Sequence, residues 1–141
     1  GAVAIAEALK VNRVLTELWL GDNSIGPEGA SAIGEALKVN AVLTSLNLQD
    51  NSIGDVGAAA IAKALEVNGV LTSCDLANND IGVKGAKALA SALEVNRVLT
   101  KLDLSYNNLS AESKQLMRNA YAVGSLSRWI RANMLAEYLK L

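Results

Sequence analysis

Apolar and polar residues alternate in short bursts that return every 28 residues along the chain. In the first complete burst, Leu15-Thr16-Glu17-Leu18-Trp19-Leu20, an extended backbone puts Leu18 and Leu20 on one side and Glu17 and Trp19 on the other. Matching bursts run from Leu43 to Leu48, Leu71 to Leu76 and Leu99 to Leu104. Such alternation predicts a short strand with one buried face. An asparagine follows each burst, at Asn23, Asn51, Asn79 and Asn107. Where the chain turns inward, a buried amide can both donate to and accept from backbone that would otherwise go unpaired. A helical pattern comes next. Pro27-Glu28 suits a helix opening, and Ala30, Ile33 and Leu37 form one apolar stripe. Gly29, Gly57 and Gly85 suggest close approach near each helix start, and the repeated alanines Ala32/Ala36, Ala60/Ala64 and Ala88/Ala92 suggest contact between neighbouring helices. Each helix closes at Asn40, Asn68 or Asn96, with Gly124 fifth in the column. Asparagine and glycine share tolerance of a left-handed backbone, so this column predicts a helix C-terminal cap.

A fixed repeat of this length marks units that stack because none buries its apolar face alone. Stacking in one direction predicts a parallel sheet with one strand per unit. The divisions fall at a partial unit over 1–14, full units at 15–42, 43–70 and 71–98, and an atypical last unit at 99–124. Gly1 to Asn12 repeats Gly29 to Asn40 almost letter for letter, so the chain reads as a piece of a longer array. In the last unit Lys114, Met117 and Tyr121 stand where Ala30, Ile33 and Leu37 stand in the first full unit. No further L-x-x-L-x-L follows Gly124. Instead, apolar residues from Leu126 to Leu141 recur at helical spacing, predicting an amphipathic helix over 125–141 that caps the stack.

The bursts resemble leucine-rich repeats, and the 28-residue unit with its helix resembles the ribonuclease-inhibitor-like subclass, which includes the sensor regions of NOD-like receptors and the Ran GTPase-activating proteins. The resemblance implies an α/β class: a right-handed β-α horseshoe segment with its parallel sheet concave and its helices convex. The subclass shares a scaffold and differs in partners.

Composition narrows the function. The net charge of −1 offers no basic stripe for nucleic acid, and no stretch approaches the length that spans a bilayer. Histidine is absent, which excludes His-based catalysis and His metal ligation. One cysteine, Cys74, permits no internal disulfide and suits a reducing cytoplasmic setting. It takes the place of Leu18, so it reads as a buried apolar residue. No cofactor or metal is expected.

The positions that vary while the rest of the unit repeats are those on the concave face: Glu17, Trp19, Asn47, Gln49, Asp75, Lys101 and Asp103, with Asp22, Asp50 and Tyr106 beside the buried asparagines. Trp19 leads the set, because tryptophan is enriched among interface anchors. Five carboxylates against Lys101 make the face acidic and favour a basic peptide or protein. The expected function is therefore a non-enzymatic protein-interaction module. Two alternatives stay open. The near-identical helix ends EALKVN, EALKVN, KALEVN and SALEVN fit an engineered or truncated scaffold with no evolved partner. Arg13 and Arg97, each just before a strand, leave a GTPase-activating regulator open. Weak self-association is expected through the open edge at Leu15 to Leu20 or through the 125–141 helix.

Overall fold

In a computed structural model that describes residues 1–122 and 139–141, strands and helices alternate strictly. Helices α1 (Ala2–Val11), α2 (Gly26–Leu37), α3 (Gly54–Val67), α4 (Val83–Val95) and α5 (Ala111–Ala122) separate strands β1 (Glu17–Trp19), β2 (Ser45–Asn47), β3 (Ser73–Asp75), β4 (Lys101–Asp103) and β5 (Leu139–Lys140). The strands form one parallel sheet in chain order, with Leu18, Leu46, Cys74, Leu102 and Leu139 in register. Each helix packs on the helix of the next unit. Between the layers runs one core, built from Ile33, Leu37, Leu43, Leu46, Leu48 and their equivalents.

Side-chain amides tie the units together at both ends of the strands. Asn51 Oδ1 accepts from Asn23 N at 3.0 Å and Ile25 N at 3.2 Å, while its Nδ2 donates back to Leu20 O at 2.8 Å. Asn79 repeats this one unit on, accepting from Asn51 N at 3.0 Å and donating to Leu48 O at 2.8 Å. At the other rim Asn40 Nδ2 donates to Leu9 O at 2.8 Å, and its Oδ1 accepts from Val42 N and Leu43 N. A third ladder links Thr44, Thr72 and Thr100, each hydroxyl donating to the threonine carbonyl of the preceding unit. The amides of Asn40, Asn51, Asn68, Asn79 and Asn96 are nearly fully buried, so every partner they supply replaces water.

Two expectations need correcting. The Asn40/Asn68/Asn96 column does cap helices, but not through a left-handed backbone. Asn68 and Asn96 are extended, at φ −74° and −69°. Their amides do the capping instead, each reaching the end of the preceding unit's helix at Leu37 O and Leu65 O. Gly124 lies outside the described residues. The second correction concerns the C-terminus. Leu139–Lys140 is a strand paired with β4, not the end of a helix. Most of the expected 125–141 helix lies outside the described residues. A cue for this strand was present: Asn133-Met134-Leu135-Ala136-Glu137-Tyr138-Leu139-Lys140-Leu141 aligns with Asn96 to Leu104, at an offset of 37 instead of 28.

The close approach at the glycines is real. A Cβ on Gly57 would fall 2.9 Å from Ala30 Cβ, and one on Gly85 would fall 2.7 Å from Asp55 Oδ1. That aspartate caps the next helix from the preceding unit, accepting from Gly82 N and Gly85 N at 2.8 Å. In the last unit Tyr121 fills the Leu37 position, fully buried, and its hydroxyl donates to Thr100 O at 3.1 Å.

The ladder predicts a steep position dependence. Asn79→Ala should cost about 2–4 kcal/mol in urea unfolding, since it strands buried donors and acceptors on two units. Asn23→Ala removes an exposed amide bonded only to Gly21 O within its own turn, and should cost under about 1 kcal/mol. Equal losses would refute the cross-unit account.

Candidate protein-interaction face

The side of the sheet turned away from the helices carries the variable positions. Register places Trp19, Asn47, Asp75, Asp103 and Lys140 in one row across five strands, and Glu17, Ser45, Ser73 and Lys101 in a second. At ~4.8 Å per strand the first row spans roughly 19 Å. Trp19 stands 74% exposed at one end and Tyr106, near the other, 87% exposed. Two hollows adjoin along the row. One of about 250 Å³ lies between Trp19, Asn47, Asp75 and Lys101. A larger one of about 740 Å³ is lined by Gln49, Asp75, Asp103, Tyr106, Arg118 and Lys140, among others. Asp75 borders both.

Much of the acidity has a local cause. Asn47, Asp75 and Asp103 each accept, through Oδ1, the backbone N–H two residues on: Gln49 and Ala77 at 3.0 Å, Ser105 at 2.9 Å. These are Asx turns that end the strands, and they need a short side-chain acceptor. Asp22, Asp50 and Asn78 hold left-handed backbone, at φ 58°, 55° and 50°. Aspartate and asparagine tolerate that region better than other residues with a Cβ. Asp50 is also bonded by Gln49 Nε2 and Asn78 Nδ2. Tyr106 breaks the rule: it holds φ 57°, where a bulky side chain is an outlier.

The structure adds cations absent from the sequence-based set. Lys140 stands 3.5 Å from the nearly buried Asp103, and Arg118 reaches the same hollow from α5. The face is thus acidic at Glu17 and Asp22 and mixed at its β4–β5 end. Burial, with Asp103 alongside, holds the Asp75 carboxyl above its ordinary value, and the Ala77 N–H, Lys101 and Lys140 pull it partly back. Arg13 and Arg97 are not brought together: they precede β1 and β4, with two strands between, and Arg13 donates to Lys10 O and Asn12 O. Among the described residues no three acidic or cysteine side chains converge as metal ligands. No helix among them is long and apolar enough to cross a membrane.

Stacked β-α units with a variable polar sheet face define a solenoid of the repeat-scaffold class. The chain belongs to the leucine-rich-repeat family: the family model described as Leucine Rich repeat matches residues 11–34, 39–62, 67–90 and 95–113. Among solved structures it is similar to "Leiomodin-1 Actin-Binding Site 2", with 24% identity and TM-score 0.78 over 92% of this chain and 84% of that one. It is also similar to a tropomodulin C-terminal domain from Caenorhabditis elegans, with 14% identity and TM-score 0.78 over 96% and 91% of the two chains. No curated protein matches the chain. Identities this low carry the fold.

Cys74 sits within the face's supporting layer, wholly buried, and desolvation with Asp75 beside it pushes its thiol up to about 12. The neutral thiol therefore persists through alkaline pH. A thiol reagent at pH 9 should label native protein slowly and urea-unfolded protein stoichiometrically. Equal rates would show that the core opens around β3.

Proposed function

We propose that this chain is a non-enzymatic protein-binding module that receives a partner along the row from Trp19 to Tyr106. The observation that carries the reading is the pair of exposed aromatics bracketing a polar, hollowed sheet face. Folding gives neither ring a reason to be there. Trp19 replaces the Asx-turn residue of its column, and Tyr106 replaces the asparagine or aspartate that left-handed backbone prefers. Large exposed aromatics are enriched among interface anchors. Strained residues concentrate at functional sites. Glu17, Asp22 and Asp75 favour a basic segment of the partner, while Lys140 and Arg118 suit an acid at the β4–β5 end. The ribonuclease-inhibitor-like subclass remains part of this proposal, on the length of the repeat and its helix.

Actin enters as one bait, because a solved structure of this fold is described as an actin-binding site. The likeness supports trying it and supports the fold, and the chemistry of the face sets the wider search. Affinity capture with the wild type against Trp19→Ala and Tyr106→Asn should give a partner that both variants lose, each weakening it about 30-fold, the scale of one anchor residue. Tyr106→Asn should also raise stability in urea by up to about 1 kcal/mol by relieving the backbone. Identical capture by all three proteins, or destabilisation by Tyr106→Asn, would reject the reading.

The raised carboxyl of Asp75 sets the pH behaviour. A cation arriving beside it favours the ionised form. Affinity is therefore full above the raised titration point and falls as pH drops through it. Binding that strengthened on acidification would exclude a basic contact at Asp75.

A further inference from the structure

A second apolar feature recurs with the unit and involves none of the residues of the open face. Val11, Val39, Val67 and Val95 directly precede Asn12, Asn40, Asn68 and Asn96 where each helix ends, Val39 two residues past the end of α2. All four are exposed, between 53% and 73%. They form a row along the rim where helices hand over to strands. The fold explains their neighbours, since Leu9, Leu37, Leu65 and Leu93 are core and Asn40, Asn68 and Asn96 are amide ties. It does not explain valine, a poor helix former, in water at four successive units. Repeated exposed apolar side chains mark a contact surface.

The residue just before each valine indicates what covers the row. That column reads Lys10, Lys38, Glu66, Glu94. Reversed, it is its own electrostatic complement. Helix energetics select only half of it: cations suit a helix C-terminus, and the carboxylates of Glu66 and Glu94 oppose the dipole there. One turn back, Glu7, Glu35, Lys63 and Ser91 also place Glu35 and Lys63 at matching positions when reversed. Lys38 holds Glu35 at 2.7 Å in its own helix and keeps further N–H donors for another acceptor. Beyond the valines, the two central units carry only Ala41 and Gly69, which leaves room for close approach.

We propose that this rim is a homodimer surface on which two copies pack in antiparallel order about a twofold axis between the second and third valines. Val39 of one copy then meets Val67 of the other, and Val11 meets Val95. Lys38 faces Glu66, and Lys10 faces Glu94. An isologous contact requires one patch to complement itself, and this column does so only when reversed; the same order would set lysine against lysine. Arg13 meets Arg97 at the outer ends, beside Glu94. The open faces of both copies stay free, so the dimer presents two binding faces at once, which raises avidity for a multivalent partner.

Sedimentation of the 141-residue chain over a concentration series tests this. The wild type should show a reversible dimer that weakens with salt. Lys38→Glu and Glu66→Lys, both at exposed positions, should each weaken it about tenfold or more, by setting like charges face to face in both symmetric contacts. An equimolar mixture of the two variants should recover the dimer, because each supplies the charge the other lacks. Circular dichroism should show both variants folded. A strict monomer at all concentrations would overturn the proposal. So would a dimer indifferent to both reversals, or a mixture no stronger than either variant alone. A dimer indifferent to both reversals would point to self-association through the β1 edge or the 125–141 segment.

Discussion

A backbone N–H or C=O removed from water needs a partner, and in this chain the partner is an amide belonging to the adjacent unit. The Asn51 and Asn79 amides close the turns at one rim, and the Asn40, Asn68 and Asn96 amides close the helix ends at the other. Each donates to a carbonyl 31 residues back. No unit is satisfied alone, so the spacing of the units cannot drift without exposing or stranding buried polar groups. The leucines supply most of the driving force for stacking. The amides specify its register, because apolar contact is non-directional and hydrogen bonds are not.

The same accounting reshapes the open face. Asp75 and Asp103 end their strands by accepting backbone N–H groups, and Asp22 and Asp50 occupy left-handed turns. Their charge is a by-product of backbone geometry as much as an advertisement to a partner. Once these local reasons are set aside, Glu17, Trp19, Lys101, Tyr106 and Lys140 remain as residues the fold does not demand. The rim gives the same contrast. Lys10 and Lys38 suit helix ends, and Glu66 and Glu94 do not.

The architecture was legible because it repeats. Four copies of one pattern average out local ambiguity, so strand positions, core stripe and close-approach glycines all fell where the spacing put them. The helix cap failed in its mechanism: residue type alone does not distinguish an asparagine chosen for its backbone from one chosen for its amide. Strand β5 was missed for a different reason. Leu139 follows Leu102 at 37 residues, outside the 28-residue period of the other strands. Lys140 and Arg118, both lining the larger hollow, were lost with it.

Local chemistry written identically in every unit determined the strands, the helices and the side of each that is buried. Only the stacked structure decided which carboxylates are engaged by backbone, which cations join the face, and that four separated valines make one row. Those properties belong to pairs of units. They depend on distances between residues 28 or 37 apart in the chain, and no single unit contains that information.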